Sequence, residues 1–365
     1  MTATPSTSTP EARAAARDRL PPEQTGPAAW YGPGWAGRDD WVVRLDGADV
    51  AEIEAALAAW SAAPRDAPAP LEAGAFPLPR LAPRLAAIRD ELIDGRGFAL
   101  LRGLPVGRWS RRDAALAFMG LGAHLGRARS QNAAGHLLGH VKDLGLSSAD
   151  PSVRIYQTHE RQTFHTDSCD VVGLLCLAEA RRGGDSLLVS STTIFNELRR
   201  DRPELALRLF EPLATDRRGE VPPGMKPYFE LPVFSWHDGF LTAIYQRQYI
   251  DSAQRFPDAP RLTAQHVEAL DAFDALAEDP RLHLTMRLAP GDMQFVHNHV
   301  LLHDRTGFED WAEPARRRHL LRLWLAVPGA RPLPAAFAQR YGSVAIGDRG
   351  GIVVAGTRPT VPLDA

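Results

Sequence analysis

Cysteine is nearly absent: Cys169 and Cys176 are the only two in 365 residues. On one extended segment they would lie roughly 20 Å apart at about 3.3 Å per residue, too far to bridge, so no disulfide framework holds the fold. Long apolar runs are also missing, which excludes a bilayer-spanning helix. The opening MTATPSTSTPEARAAARDRLPPEQTG lacks the continuous apolar stretch of a signal peptide. A soluble, cytoplasmic protein with no membrane partner is expected. Charge of one sign is lacking too, since 42 Lys and Arg face 44 Asp and Glu for a net charge of −2. Without a basic run or a basic–aromatic stripe, nucleic acid is excluded as a partner. There is no internal repeat, and a homo-oligomer is compatible with the composition.

What is present divides into three parts. Residues 1–26 are rich in Ala, Pro, Ser and Thr and read as a flexible tail. Residues 27–340 read as one domain with a helical N-terminal part, and 341–365 as a C-terminal extension of mixed strand and turn signals. Helices are expected over 49–63, broken by 64–70, over about 83–94, and after the capping residue Ser110. Phe98-Ala99-Leu100-Leu101 suits a buried strand. Short β-type runs follow at 153–156, 164–177, 186–190, 233–236, 239–245, 282–288, 293–302 and 319–327. That strand count suits a jelly roll, interrupted by a helix over 193–210 broken near Pro203 and another opened by Thr263. The fold class is therefore α+β with a mainly β core: a double-stranded β-helix barrel with flanking helices.

His165-Thr166-Asp167 lies within one of the apolar β-type runs. Residues two apart on a strand share a face, so His165 and Asp167 are placed to hold one metal ion. A distant histidine, such as His303 in Leu302-His303-Asp304-Arg305, would complete a facial triad of the kind suited to ferrous iron and oxygen. His266 and Glu268 have the same spacing but lie in a helical segment, where residues two apart diverge. Parity does not choose among His297, His299 and His303. Cys169 and Cys176 flank the ligands and are read as small buried hydrophobes rather than thiolates. In 318–325 alternation puts Arg318, Leu320, Arg322 and Trp324 on one face. If that face points into a barrel its two guanidiniums need an anion, which a dicarboxylic cosubstrate would provide; on an edge strand both arginines would stand in water. The Gly183-Gly184-Asp185-Ser186 turn offers the Ser186 hydroxyl to the same carboxylate, while Pro290-Gly291-Asp292 marks a hairpin.

Four blocks in order, Phe164-His165-Thr166-Asp167, Gly183-Gly184-Asp185-Ser186, Asn298-x-x-x-Leu302-His303-x-Arg305-Thr306 and Arg318-His319-Leu320-Leu321-Arg322, together resemble the taurine dioxygenase-like (TauD/TfdA) family of iron- and 2-oxoglutarate-dependent oxygenases. The resemblance covers roughly Phe98 to Leu333. It implies that His165, Asp167 and His303 are the catalytic Fe(II) ligands and that Arg318 meets the C5 carboxylate of 2-oxoglutarate. Arg322 falls where relatives often have a second arginine near cosubstrate or substrate. Ser186 occupies the family's Thr/Ser position at a shortened interval, with Thr192 or Thr193 as alternatives, and Arg305, Gln131 and Asn132 are candidates for the surrounding pocket.

The implied activity is oxidation of a small-molecule C–H bond by O2, with 2-oxoglutarate converted to succinate and CO2. Retention of Asp167 disfavours halogenation, because related halogenases replace that carboxylate by Ala or Gly. Rival readings are desaturation, epimerisation or ring formation on the same iron, a non-catalytic jelly-roll sensor, and zinc hydrolysis, which would leave the basic face without a role.

Overall fold

Strand 319–326 sends its side chains into two different cores: Leu321, Leu323 and Leu325 into one, Leu320 and Trp324 into the other. Successive strand side chains point to opposite faces, and a strand apolar on both must be covered on both. The molecule is layered accordingly. The computed structural model describes residues 9–62, 71–148, 153–354 and 356–363. Its main strands are β1 (Val42–Arg44), β2 (Phe98–Arg102), β3 (Arg127–Arg129), β4 (Leu138–Val141), β5 (Gln162–His165), β6 (Val171–Ala178), β7 (Ser186–Ser190), β8 (Leu284–Met286), β9 (Met293–His297), β10 (Leu301–Arg305) and β11 (His319–Ala326).

The larger sheet has the order β1-β2-β9-β6-β11-β3, with β4 also paired to β11, and the smaller runs β8-β7-β10-β5. Apart from the parallel β1–β2 pair, the pairings are antiparallel. Phe98, Val172, Leu188, Leu301 and Trp324 fill the space between the sheets. Helices Gly47–Ala62, Ala82–Ile93 and Arg111–Leu125 cover the outside of the larger sheet. Helices Ser191–Asp201 and Ala264–Ala277 cover the smaller one, packing Ile194 and Phe273 with Val189 and Leu302. The Ser110 and Thr263 caps form as the sequence predicts, each hydroxyl accepting an N–H from three residues on. Among the described residues no helix is long and apolar enough to cross a membrane.

Several expected elements are different. The single run 164–177 is two strands, because Thr166 to Asp170 leave the ladder: Thr166 N–H bonds the Tyr245 carbonyl (2.9 Å) and Cys169 N–H the Asp167 carbonyl (3.0 Å). The run 293–302 is also broken, with 298–300 passing from the larger sheet to the smaller. Residues 153–156 are not a strand; Ile155–Gln157 is a 3-10 turn closed by the Gln157 side chain on Arg154 N–H (3.2 Å). The hairpin Leu213–Asp216 with Tyr228–Leu231 was not anticipated.

Of the residues expected as a tail, 9–26 dock instead, and 1–8 lie outside the described residues. Pro10–Asp18 is a helix capped by Thr9, Arg17 donates to the Arg199 and Arg200 carbonyls, and Leu20 is buried beside Leu198 and Leu205. A small-residue composition suffices because only Ala16 and Leu20 need cover. The break expected at 64–70 lies outside the described residues. The C-terminal stretch is no separate extension either. Arg349 is fully buried and its Nε donates to Asp170 Oδ1 (2.8 Å), which also meets His299 Nε2 (2.9 Å). Asp170 Oδ2 accepts from Val327 N–H (2.9 Å). Removing one partner of a buried pair leaves a charge uncompensated, so Asp170→Ala should cost about 3–5 kcal/mol in urea unfolding. A loss below about 1 kcal/mol would show that Arg349 finds other compensation.

Candidate metal centre and active site

Antiparallel pairing of β5 with β10 sets His165 directly opposite His303, and their rings approach to 4.1 Å between centroids. Asp167 follows β5 in the turn rather than on the strand, so the same-face expectation for His165 and Asp167 is replaced by a clamped loop. Asn298 makes the clamp: its Oδ1 accepts Asp167 N–H (2.9 Å), its Nδ2 reaches Cys169 Sγ (3.2 Å), and its own N–H bonds the Asp170 carbonyl (2.9 Å). The ligand-capable atoms of His165, Asp167 and His303 lie within 4.8 Å of one another, and all three residues are buried. His303 Nε2 stands 3.7 Å from Asp167 Oδ2.

Protonation favours a cation here. His165 Nδ1 is 2.8 Å from the Thr163 carbonyl, which needs a donor, so Nε2 keeps its lone pair, now facing the Gln162 amide at 2.9 Å. Burial, with His165 alongside, lowers the His303 pKa to about 3. Burial works against the Asp167 carboxylate, but Arg322, His303, His165 and the Trp324 N–H outweigh it and hold the pKa at about 2. Two neutral imidazoles and a carboxylate, with His303 Nδ1 lacking a partner among the described residues, are a donor set that fits Fe(II). Cys169 is a thiol, not a ligand, because burial pushes its pKa well up.

The other histidines resolve by position. His297 ends β9 in the other sheet, and His299 is committed to Asp170. His266 pairs with Glu211 (2.7 Å) and Glu268 with Arg202 (2.6 Å), so that spacing gathers nothing.

Arg322 is where alternation predicts. Its guanidinium lies over Tyr156 and Trp324 (4.7 and 5.0 Å), donates Nε to Gln131 Oε1 (2.8 Å), and approaches Asp167 Oδ2 at 3.5 Å. Trp324 Nε1 donates to that same oxygen (2.7 Å), an orienting contact the sequence reading had not assigned. Arg318 lies over Phe308 (5.0 Å), buried, with no partner for Nη1 among the described residues, and it lines clefts other than the one lined by His165 and Asp167. Arg305 covers the same ring at 4.8 Å and bonds the Thr158 and Glu160 carbonyls. Burial lowers the Arg318 pKa to about 10, and burial with Arg318 as neighbour lowers Arg305 to about 9. Gly184, at φ +78°, makes room: a Cβ there would stand 2.9 Å from Arg318 Nε.

Ser186 is buried on β7, its hydroxyl on Gln294 Oε1 (3.0 Å). Thr193 is not an alternative, since it bonds the Trp30 carbonyl (2.7 Å), and Thr192 lines a separate cleft with Val300 and Arg331. Asn132 turns toward His136 (3.1 Å).

Residues 64–324 match the model of the taurine catabolism dioxygenase TauD, TfdA family. The chain belongs to the TauD/TfdA family. It is therefore an enzyme of the non-haem iron, 2-oxoglutarate-dependent oxygenase type, with Fe(II) and 2-oxoglutarate as its cofactor and cosubstrate. Relatives include FR-33289 synthase of Streptomyces rubellomurinus, 32% identical over 87% of this chain and 95% of that protein. The taurine hydroxylase-like protein SAT17 of Stachybotrys chartarum is 34% identical over 81% and 77%. A uridine-5'-phosphate dioxygenase of an Amycolatopsis species is 31% identical over 65% and 88%. The TauD/TfdA chain also shares the jelly-roll fold of asparagine oxygenase solved with Fe(II), hydroxyasparagine and succinate: TM-score 0.58, 20% identity, 78% of this chain and 93% of that one.

The depressed His303 pKa carries a stability consequence. Between about 3 and the ordinary 6.5 the unfolded chain binds a proton that the folded chain refuses, so metal-free protein should lose stability as pH falls through that window. Urea midpoints at pH 7 and pH 5, compared with His303→Gln, test this. An equal drop in both proteins would remove His303 as the cause.

Proposed function

We propose that His165, Asp167 and His303 hold Fe(II), and that Arg318, with Ser186 nearby, receives the C5 carboxylate of 2-oxoglutarate. The buried triad of ligand atoms within 4.8 Å is the observation that carries this reading. Support comes from Arg318 Nη1 and Arg305 Nε, which are buried without partners among the described residues. Buried cations are costly unless met by an anion, and a dicarboxylate long enough to reach inward from the iron fits that need. When bound, iron and 2-oxoglutarate supply the oxidation: O2 is consumed, succinate and CO2 leave, and a substrate C–H becomes C–OH.

The chain's own residues orient and exclude. Trp324 and Arg322 hold Asp167 Oδ2, and the Thr163 carbonyl fixes the His165 tautomer. Gln162 gives up its contact to His165 Nε2 when that atom takes a ligand role. Tyr156, Tyr245 and Trp324 line the outer cleft with aromatic surface that keeps bulk water from the reacting bond. The reaction is hydroxylation of an unactivated C–H in a small molecule; desaturation, epimerisation or ring closure would use the same residues.

Asp167→Ala and His303→Ala should each weaken Fe(II) binding by at least about tenfold, measured anaerobically, and unchanged binding in both would sink the triad. Arg318→Ala should raise the 2-oxoglutarate requirement by roughly 10- to 100-fold, the loss of a charged hydrogen-bonding partner of about 1.5–3 kcal/mol. A product one oxygen heavier than substrate identifies hydroxylation, and one two hydrogens lighter redirects the proposal to desaturation.

A further inference from the structure

A cleft opens beside the triad, lined by His165 and Asp167. Three guanidiniums line it, those of Arg154, Arg322 and Arg340, while among the described residues Asp167 is its only lining carboxylate. The charges are unequally matched. Arg154 is paired with Glu220, and Arg322 has Gln131 and the Asp167 oxygen. Arg340 gives Nε to Ser168 Oγ (2.7 Å) and has no carboxylate at ion-pair distance among the described residues.

Arg340 is nevertheless held in place. It sits in the helical turn Ala338–Tyr341, where the Gln339 side chain bridges Glu230 N–H and carbonyl, both at 3.2 Å. The Gln339 carbonyl accepts from Arg217 Nη2 (2.6 Å), and Gly350 N–H bonds the Tyr341 carbonyl (3.0 Å). The Arg340 guanidinium lies 5.5 Å over Phe229. Burial, with Arg154 opposite, lowers its pKa to about 10, which leaves it cationic at neutral pH. So many restraints on an unpaired arginine facing the reacting centre indicate preorganisation for an anion. Arg340 also lies beyond residues 64–324, the part that matches the family.

We infer that the substrate is a small molecule bearing a phosphate or phosphonate group, and that Arg340, with Arg322 and the Ser168 hydroxyl, binds it as a specificity-determining residue. This rests on the iron and 2-oxoglutarate reading above. Once Asp167 ligates the metal its charge is engaged there, and the cleft is left with a surplus of positive charge. A planar carboxylate is satisfied by one bidentate fork. Two guanidiniums on different elements, plus a hydroxyl that accepts from Arg340 and retains its own hydrogen to donate, suit a tetrahedral dianion with three acceptor oxygens.

The test uses the full chain loaded with Mn(II) and 2-oxoglutarate under nitrogen, titrated calorimetrically with propylphosphonate, butyrate and butyramide. Propylphosphonate should bind at least tenfold tighter than butyrate, with no heat from butyramide. Arg340→Gln should weaken propylphosphonate at least tenfold while Mn(II) and 2-oxoglutarate affinities stay at wild-type values, and Arg340→Lys should recover part of the loss. Retained 2-oxoglutarate affinity also certifies that the variants fold. Equal binding of butyrate or butyramide, no binding of propylphosphonate, or an indifferent Arg340→Gln overturns the inference alone. Failure of the wild-type chain to bind Mn(II) or 2-oxoglutarate overturns the underlying reading instead.

Discussion

The register between β5 and β10 is the constraint on which the rest depends. Pairing His303 with His165 brings two imidazoles side by side, tilted by 48°, and a shift of one residue would turn one of them to the opposite face. That register is held from outside by the helical layer packed on Val189 and Leu302, whose side chains point away from the site. Its outward-facing residues therefore do the positioning, and its inward-facing residues are left free for chemistry. The cost appears between the sheets. Arg305, Arg318 and Arg322 are all buried, and Arg318 Nη1 and Arg305 Nε have no partner among the described residues, an arrangement that is stable only when something anionic completes it.

Much of this was legible in local pattern. The period-two alternation in 318–325 put Arg318 and Arg322 with Trp324 on one face, and both guanidiniums are buried there. Helices with hydroxyl caps were readable at Ser110 and Thr263 because a cap is a short-range interaction. The ligand histidine was not readable from parity, since His297, His299 and His303 are all odd-numbered. Only the crossing at 298–300, a tertiary event, separates them into different sheets. Likewise Asp167 reaches the site through Asn298, a residue 131 positions downstream, and no strand periodicity carries that information.

Arg340 had no local signal. It lies in a stretch of mixed turn character, and its significance arises from being returned to Ser168 by contacts across the whole chain. The N-terminal segment misled in the opposite direction. Composition argued for a tail, but a short helix burying Ala16, followed by Leu20 just beyond its end, needs little apolar surface when a partner helix is already waiting. Both misses have one cause: docking depends on the partner surface, which lies elsewhere in the sequence.

The fully buried Arg349, bonded to the aspartate three residues past Asp167, ties the timing of assembly to the order of synthesis. Every proposed iron ligand emerges from the ribosome before this arginine does. Until it arrives, Asp170 and His299 lack their cation and the loop carrying Asp167 lacks its backing, including the Gly351 N–H bond to the Ser168 carbonyl (2.7 Å). A nascent chain thus passes through an interval in which the histidines exist without a finished cage.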